Sequence, residues 1–148
     1  MVYSFAKMSL VIKFVEKQDE LDQVIEIRKK VFVEEQNVPL DLEVDGLDPE
    51  AKHIIAYLDS KPVGCARVRT NKHAKLERIA IIKKHRGKGF GKQLTDFLIK
   101  YCKQEGFDEI HLHSQTYVAD FYKKHGFEVR GDPFYEAGIE HVEMYLKT

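Results

Sequence analysis

The chain has 148 residues, with 24 Lys and Arg balanced by 24 Asp and Glu, and 43% of it is hydrophobic. That length suits one domain over residues 1–148 that buries a real core, and zero net charge argues against bulk nucleic-acid binding. Cys65 and Cys102 are the two cysteines, too few for a disulfide framework or a zinc knuckle, so a reducing, cytoplasmic setting is expected.

The opening MVYSFAKMSL lacks the basic leader, apolar core and cleavage site of a secretory signal, and residues 1–8 read as a loose extension. No run approaches the roughly 20 apolar residues a membrane span requires. Residues 10–16 (LVIKFVE) are rich in β-formers and predict a first strand. Asp19 is the expected N-cap of a helix whose Leu21, Val24, Ile25, Arg28, Val31 and Phe32 mark one inward face. Residues 31–48 contain a proline, Gly46 and several acids without a period, which predicts a long loop with at most a short helical turn. Glu34, Glu35, Glu43 and Asp45 there admit two readings, attraction for a cationic substrate or a solvated acidic edge. Residues 53–59 and 63–70 predict two strands joined by a hairpin at Ser60-Lys61-Pro62.

Residues 76–107, LERIAIIKKHRGKGFGKQLTDFLIKYCKQEGF, organise the rest of the chain. Residues 76–82 are a short apolar run, as in a strand covered on both faces. Leu94, Phe97, Leu98, Tyr101 and Cys102 repeat at helical spacing, and Gly106 supplies the left-handed residue that ends the helix. Between strand and helix lie Arg86, Gly87, Lys88, Gly89, Phe90, Gly91 and Lys92. Glycines let a ligand approach the backbone, and the free N–H groups of a helix start attract anions, phosphates above all. A P-loop would need Ser or Thr after Gly91-Lys92, where Gln93 stands, and a dinucleotide fingerprint would need a third glycine at a spacing absent here. The pattern present is R-x-x-G-x-G, from Arg86 through Gly89 and Gly91. In this strand-to-helix setting the chain resembles the GNAT superfamily of N-acetyltransferases, whose acyl-coenzyme A pyrophosphate site carries (Q/R)xxGx(G/A).

Residues 109–114 predict a further strand, and a strand-helix-strand crossover implies that it runs parallel to its neighbour. His111 and His113 share one of its faces. With no acid or cysteine at a supporting spacing, they read as solvated or hydrogen-bonded histidines, and no metal is expected. Residues 115–127, QTYVADFYKKHGF, predict a short helix with Val118, Phe121 and Tyr122 inward and Gly126 as its cap. This segment resembles the second GNAT signature, (N/Q)xxAxxFYxxxGF, through Gln115, Phe121, Tyr122, Gly126 and Phe127, although Ala119 falls four residues after Gln115 instead of three. Residues 127–130 and 141–147 predict a closing hairpin with a long connection, in which Glu136 and His141 are acid-base candidates. The segments VFVEEQNVP and GIEHVEM look similar to a bacterial GNAT branch of unassigned substrate.

The resemblance implies an α/β (α+β) three-layer fold, with a mixed central sheet of six to seven strands and helices on both faces. It implies acetyl transfer from acetyl-coenzyme A to a primary amine of a small molecule or peptide, by direct attack with both substrates bound. The cofactor site would comprise Ile79, Ala80, Ile81, Arg86, Gly87, Lys88, Gly89, Phe90, Gly91, Lys92 and Gln115. Residues 79–81 would offer main-chain N–H groups, and Tyr122 would sit near the coenzyme A sulfur. Such a reaction needs the neutral amine, and Glu77, sharing a strand face with Ile79 and Ile81, is the first candidate base, ahead of Glu136 and His141, or else an acid paired with Lys75 or an arginine of a neighbouring strand. Neither nucleic acid nor membrane is an expected partner, and a homodimer is an open arrangement. Two rivals stand beside this reading: an acyl-coenzyme A sensor without turnover, and an RNA-binding domain using residues 83–92, which the neutral charge disfavours.

Overall fold

The computed structural model describes residues 10–148, so the extension expected over residues 1–8 lies outside the described residues. The sheet has seven strands in the order β1-β2-β3-β4-β5-β7-β6. The strands are β1 (Leu10–Phe14), β2 (Lys52–Leu58), β3 (Lys61–Thr70), β4 (Ala74–Ile81), β5 (Glu109–Gln115), β6 (Glu128–Glu136) and β7 (Ile139–Lys147). All neighbours are antiparallel except β4 and β5, the pair joined through a helix.

Alternation along the strands divides the core between two faces. On one, helix α1 (Gln18–Arg28) and a π-helical continuation, Lys29–Glu35, pack Val24, Ile27 and Val31 on Ile55, Cys65 and Ala80. On the other, α3 (Phe90–Gln104) and α4 (Ala119–Lys123) pack Leu94, Leu98 and Tyr122 on Ile54, Ala66, Leu76 and Leu112. The result is the three-layer mixed α/β arrangement expected. No helix among the described residues is long and apolar enough to cross a membrane.

Several local expectations change. Lys17, not Asp19, is the N-cap of α1, because Glu20 reaches back to accept from the Glu16 and Lys17 amides at 2.9 and 3.1 Å. The β2–β3 hairpin turns on Asp59-Ser60, both with positive φ, while Lys61 and Pro62 already belong to β3. The connection expected after residue 130 is mostly strand. A bulge between Arg130 and Phe134 interrupts its alternation, and a tight Ala137-Gly138 turn closes it. The segment 31–48 is more ordered than a loop, holding the π-helical turn and a short α2 (Leu40–Glu43).

Candidate active site

The site begins where β4 and β5 part. They pair only from Ala74↔Ile110 to Leu76↔Leu112; beyond that, β4 continues along β3 to Ile81 and β5 along β7 to Gln115. The divergence coincides with a bulge in β4. The β3–β4 register runs from Cys65↔Ala80 to Arg67↔Glu77, one extra residue lies on β4, and Arg78 has φ +53°. A non-glycine residue in that region costs on the order of 1–2 kcal/mol, and the bulge sharpens the strand's twist away from its parallel neighbour. Beyond the parting, Ile79, Ala80 and Ile81 have no β5 partner and line a cleft of about 880 Å³.

The glycine turn closes one end of this cleft. Gly87 and Gly89 have φ +78° and +82°, and Gly89 is the N-cap of α3, accepting the Gln93 amide at 3.1 Å. A Cβ at either position would meet nothing within 4 Å, so these glycines serve backbone conformation and not close packing. At Gly91 a Cβ would lie 3.7 Å from the Phe121 ring, which seats α3 against α4. Arg86 is held in place: Nε donates to the Ile81 carbonyl at 2.9 Å and Nη2 to Glu35 at 2.8 Å. Lys92 pairs with Asp96 at 2.9 Å. Phe90 is buried with Ala56, Leu58 and Val63, leaving its amide as the part available to a ligand. Ile79, Ala80, Ile81 and Gln115 also line the cleft; Lys88 does not. The Gln115 side chain donates to Gln36 at 2.8 Å, tying the end of β5 to the residue after the π-helical turn.

Tyr122 lines the cleft and is 9% exposed; burial alone pushes its phenol well above the ordinary value of about 10. Glu77 also lines the cleft but is not a free acid. Arg69 lies 2.7 Å and Lys75 3.4 Å from its carboxylate, and Arg67 donates to it at 2.8 Å. Burial raises its pKa, the hydrogen bonds from Arg69 and Arg67 and the Arg67 and Lys75 charges outweigh that, and the group is left at about 2. A carboxylate held so low takes a proton poorly, and of the two expected readings of Glu77 the contacts with Lys75 and the β3 arginines are those of the ion-paired one.

His141 and Glu136 meet at the far side of the same cleft. His141 Nδ1 lies 2.7 Å from the Ile139 carbonyl, which can only accept, so Nδ1 carries a hydrogen, and in the neutral ring Nε2 presents the lone pair. Glu136 is 4.0 Å from that Nε2, and its other oxygen takes a 2.7 Å hydrogen bond from His113 Nδ1. The His113 hydrogen bond, with the Lys75 charge behind it, holds Glu136 below the ordinary carboxylate range against its partial burial.

The residues 15–148 match the family model of the acetyltransferase (GNAT) domain. The chain belongs to the GNAT family. Its GNAT relatives include a candidate acetyltransferase of Bacillus subtilis (strain 168), 42% identical over 137 residues and covering 90% of this chain and 93% of that one. The uncharacterised N-acetyltransferase YjcF of the same organism is 40% identical over 129 residues, covering 86% and 92%. Among solved structures, an acyl-CoA N-acyltransferase from Pseudomonas aeruginosa is similar with a TM-score of 0.84 at 25% identity, covering 95% of this chain and 99% of that one. This GNAT chain is accordingly an acyltransferase, and acetyl-coenzyme A is the co-substrate of the family.

Two histidine and acid groupings of the GNAT chain escaped the sequence. His111 does have acids beside it, Glu109 at 2.8 Å and Glu143 at 3.5 Å, and His73 stacks on its ring at 4.8 Å. Period-2 spacing places Glu109 on the same strand face, a signal that was legible, whereas Glu143 arrives from β7. Potential ligand atoms of His73, Glu109 and His111 lie within 4.8 Å of one another, and Arg130 already sits 2.9 Å from Glu109. His113, read with His111 as a pair, works separately, as the partner of Glu136.

The acidic segment fits neither of its expected readings. Glu35 pairs with Arg86, Glu43 with Arg28 and Arg78, and Asp45 with Arg67 and Arg78, while Glu34 is exposed. Three of the four acids are therefore spent on arginines within the fold.

Proposed function

We propose that this chain transfers the acetyl group of acetyl-coenzyme A to a primary amine held in the cleft between β4 and β5, by direct attack with both substrates bound. The observation that carries this reading is the divergence of the two parallel strands beyond Leu76 and Leu112 into a cleft that ends on the first turn of α3. The residues there fit a diphosphate. The first-turn amides of α3 are unbonded within the helix, Gly87 and Gly89 keep the approach clear of side chains, and Lys92 and Arg86, paired with Asp96 and Glu35, line the same turn. When bound, the thioester supplies an activated acyl group.

The chain's own residues do the rest. Residues 79–81, unpaired by β5 and lining the cleft, would supply main-chain N–H donors where negative charge develops on the carbonyl oxygen. Tyr122, kept protonated by burial, can donate a hydrogen bond to the departing thiolate, whose proton is made up by the one the amine loses. His141 Nε2 is the proton acceptor for the amine, and Glu136 stabilises the imidazolium that forms. Glu77 is a positioning residue that orients Arg67 and Arg69. Cys65 and Cys102 are buried, with thiols pushed up to about 12 and about 11, so an acyl-cysteine route has no nucleophile among them.

The test is thiol release from acetyl-coenzyme A across a panel of amines, alongside melting curves. Amine-dependent release that disappears in His141→Ala, with the stabilisation by acetyl-coenzyme A kept, supports the reading. Stabilisation without release for any amine would leave a sensor in its place.

A further inference from the structure

We propose that Arg69 and Lys75 form a subsite for an anionic group, so that the acceptor is a small primary amine that itself carries a carboxylate, as an amino acid does. The inference rests on the acetyl-transfer reading above and adds the class of its acceptor.

The charges behind the cleft form a closed ring. Arg67 pairs with Asp45, Asp45 with Arg78, Arg78 with Glu43, Glu43 with Arg28, Arg28 with Asp48, and Asp48 again with Arg67. Three guanidinium groups and three carboxylates leave the ring neutral. Outside it, Arg69 and Lys75 share one contacting acid, Glu77, so in these contacts two cations meet one carboxylate.

Arg69 and Lys75 are direct partners across the β3–β4 ladder, where two like charges repel unless an anion lies between them. Glu77 meets that need only in part. One of its oxygens accepts from Arg69 Nε and Nη2 and faces Lys75, and the other accepts from Arg67 and again from Arg69. These bonds occupy Arg69 Nε and Nη2 and leave Nη1 without an acceptor among the described residues. Exposure decides which sign a ligand meets: the side chains of Arg69 and Lys75 are 34% and 33% exposed in the cleft wall, against 9% for Glu77 beneath them. A ligand entering here touches cations first.

The arm shares its cleft with the proposed proton acceptor: Arg69, Lys75, Glu136 and His141 all line it. An acceptor bound there can point its amine to His141 and its anion to Arg69 and Lys75. A diamine or polyamine would place its second positive charge against the same two side chains.

The experiment compares matched acceptors by thiol release: an α-amino acid with its carboxamide, glutamate with putrescine, and phosphoethanolamine to separate a carboxylate from a phosphate. The expected result is a kcat/KM at least about tenfold higher for the carboxylated member of each pair, lost mainly through KM in Arg69→Gln and Lys75→Gln. Stabilisation by acetyl-coenzyme A should persist in both variants, which checks their fold. Equal or better rates for carboxamides or diamines would overturn the proposal, as would an unchanged preference in both variants, and a preference for phosphoethanolamine alone would overturn the carboxylate. No release from any amine would instead sink the acetyl-transfer reading, and this inference with it.

Discussion

Glu77 illustrates how a neighbourhood decides what a carboxylate can do. Its folded pKa of about 2 lies below the ordinary 4.5, so its contribution to stability is present above about pH 4.5 and is lost as pH falls through 2. Glu77→Gln should therefore cost on the order of 2–3 kcal/mol at neutral pH, with the gap to wild type closing below about pH 4.5. Urea melts of both proteins between pH 2 and 7 would read this, and a gap independent of pH would refute it. Tyr122 lies at the opposite extreme, a phenol that burial keeps protonated. Tyr122→Phe should lower kcat by about ten- to a hundredfold while moving acetyl-coenzyme A affinity less than about threefold, measured by steady-state rates and calorimetry. Loss of affinity with unchanged kcat would make it a packing residue. Removing the proton acceptor should be harsher: His141→Ala is expected to lower kcat/KM by about 10²-fold or more in steady-state thiol-release assays.

At the scale of single elements, the junction of β4 with α3 was the most legible part of the chain. An apolar run, three alternate glycines and an amphipathic period all point the same way, and each is a local signal. Gly89 is the sharpest test of it, because its φ of +82° disfavours any side chain and its amide opens α3. Gly89→Asp adds a negative charge at the same point and should abolish the rise in melting temperature given by acetyl-coenzyme A. An undiminished shift would place the diphosphate elsewhere. The β4 bulge, by contrast, could not be read. LERIAI carries no glycine or asparagine to announce a left-handed residue, and Arg78 accepts that conformation because Glu43 and Asp45 hold its guanidinium from another part of the chain. The turn at Asp59-Ser60 was missed for a related reason: Pro62 is a strong turn signal, but here it occupies a strand.

For the molecule as a whole, the layers, the mixed sheet and the parallel crossover followed from periodicity and the resemblance, since hydrophobic alternation is written along the chain. The ring of arginines and acids did not. Its hydrogen-bonded partners stand 15 to 35 residues apart, and only folding brings Arg28, Glu43, Asp45, Asp48, Arg67 and Arg78 together. A closed circuit of that kind joins α1, the segment before β2, and strands β3 and β4 into one unit. Binding should tighten the same unit: acetyl-coenzyme A at 100 times its dissociation constant should add about 2.7 kcal/mol to the unfolding free energy, readable as a dose-dependent melting shift. Oligonucleotides should give none.

The sheet's last strand, β6, has one free side and is exposed along nearly all of its length. Its register break between Arg130 and Phe134 includes Pro133, which has no N–H to offer a neighbouring chain. Such a border resists the zipper-like growth that an unguarded ladder invites. A pairing of two molecules on this side is therefore better built from side chains on a face than by continuing the sheet from β6 of one copy into the next.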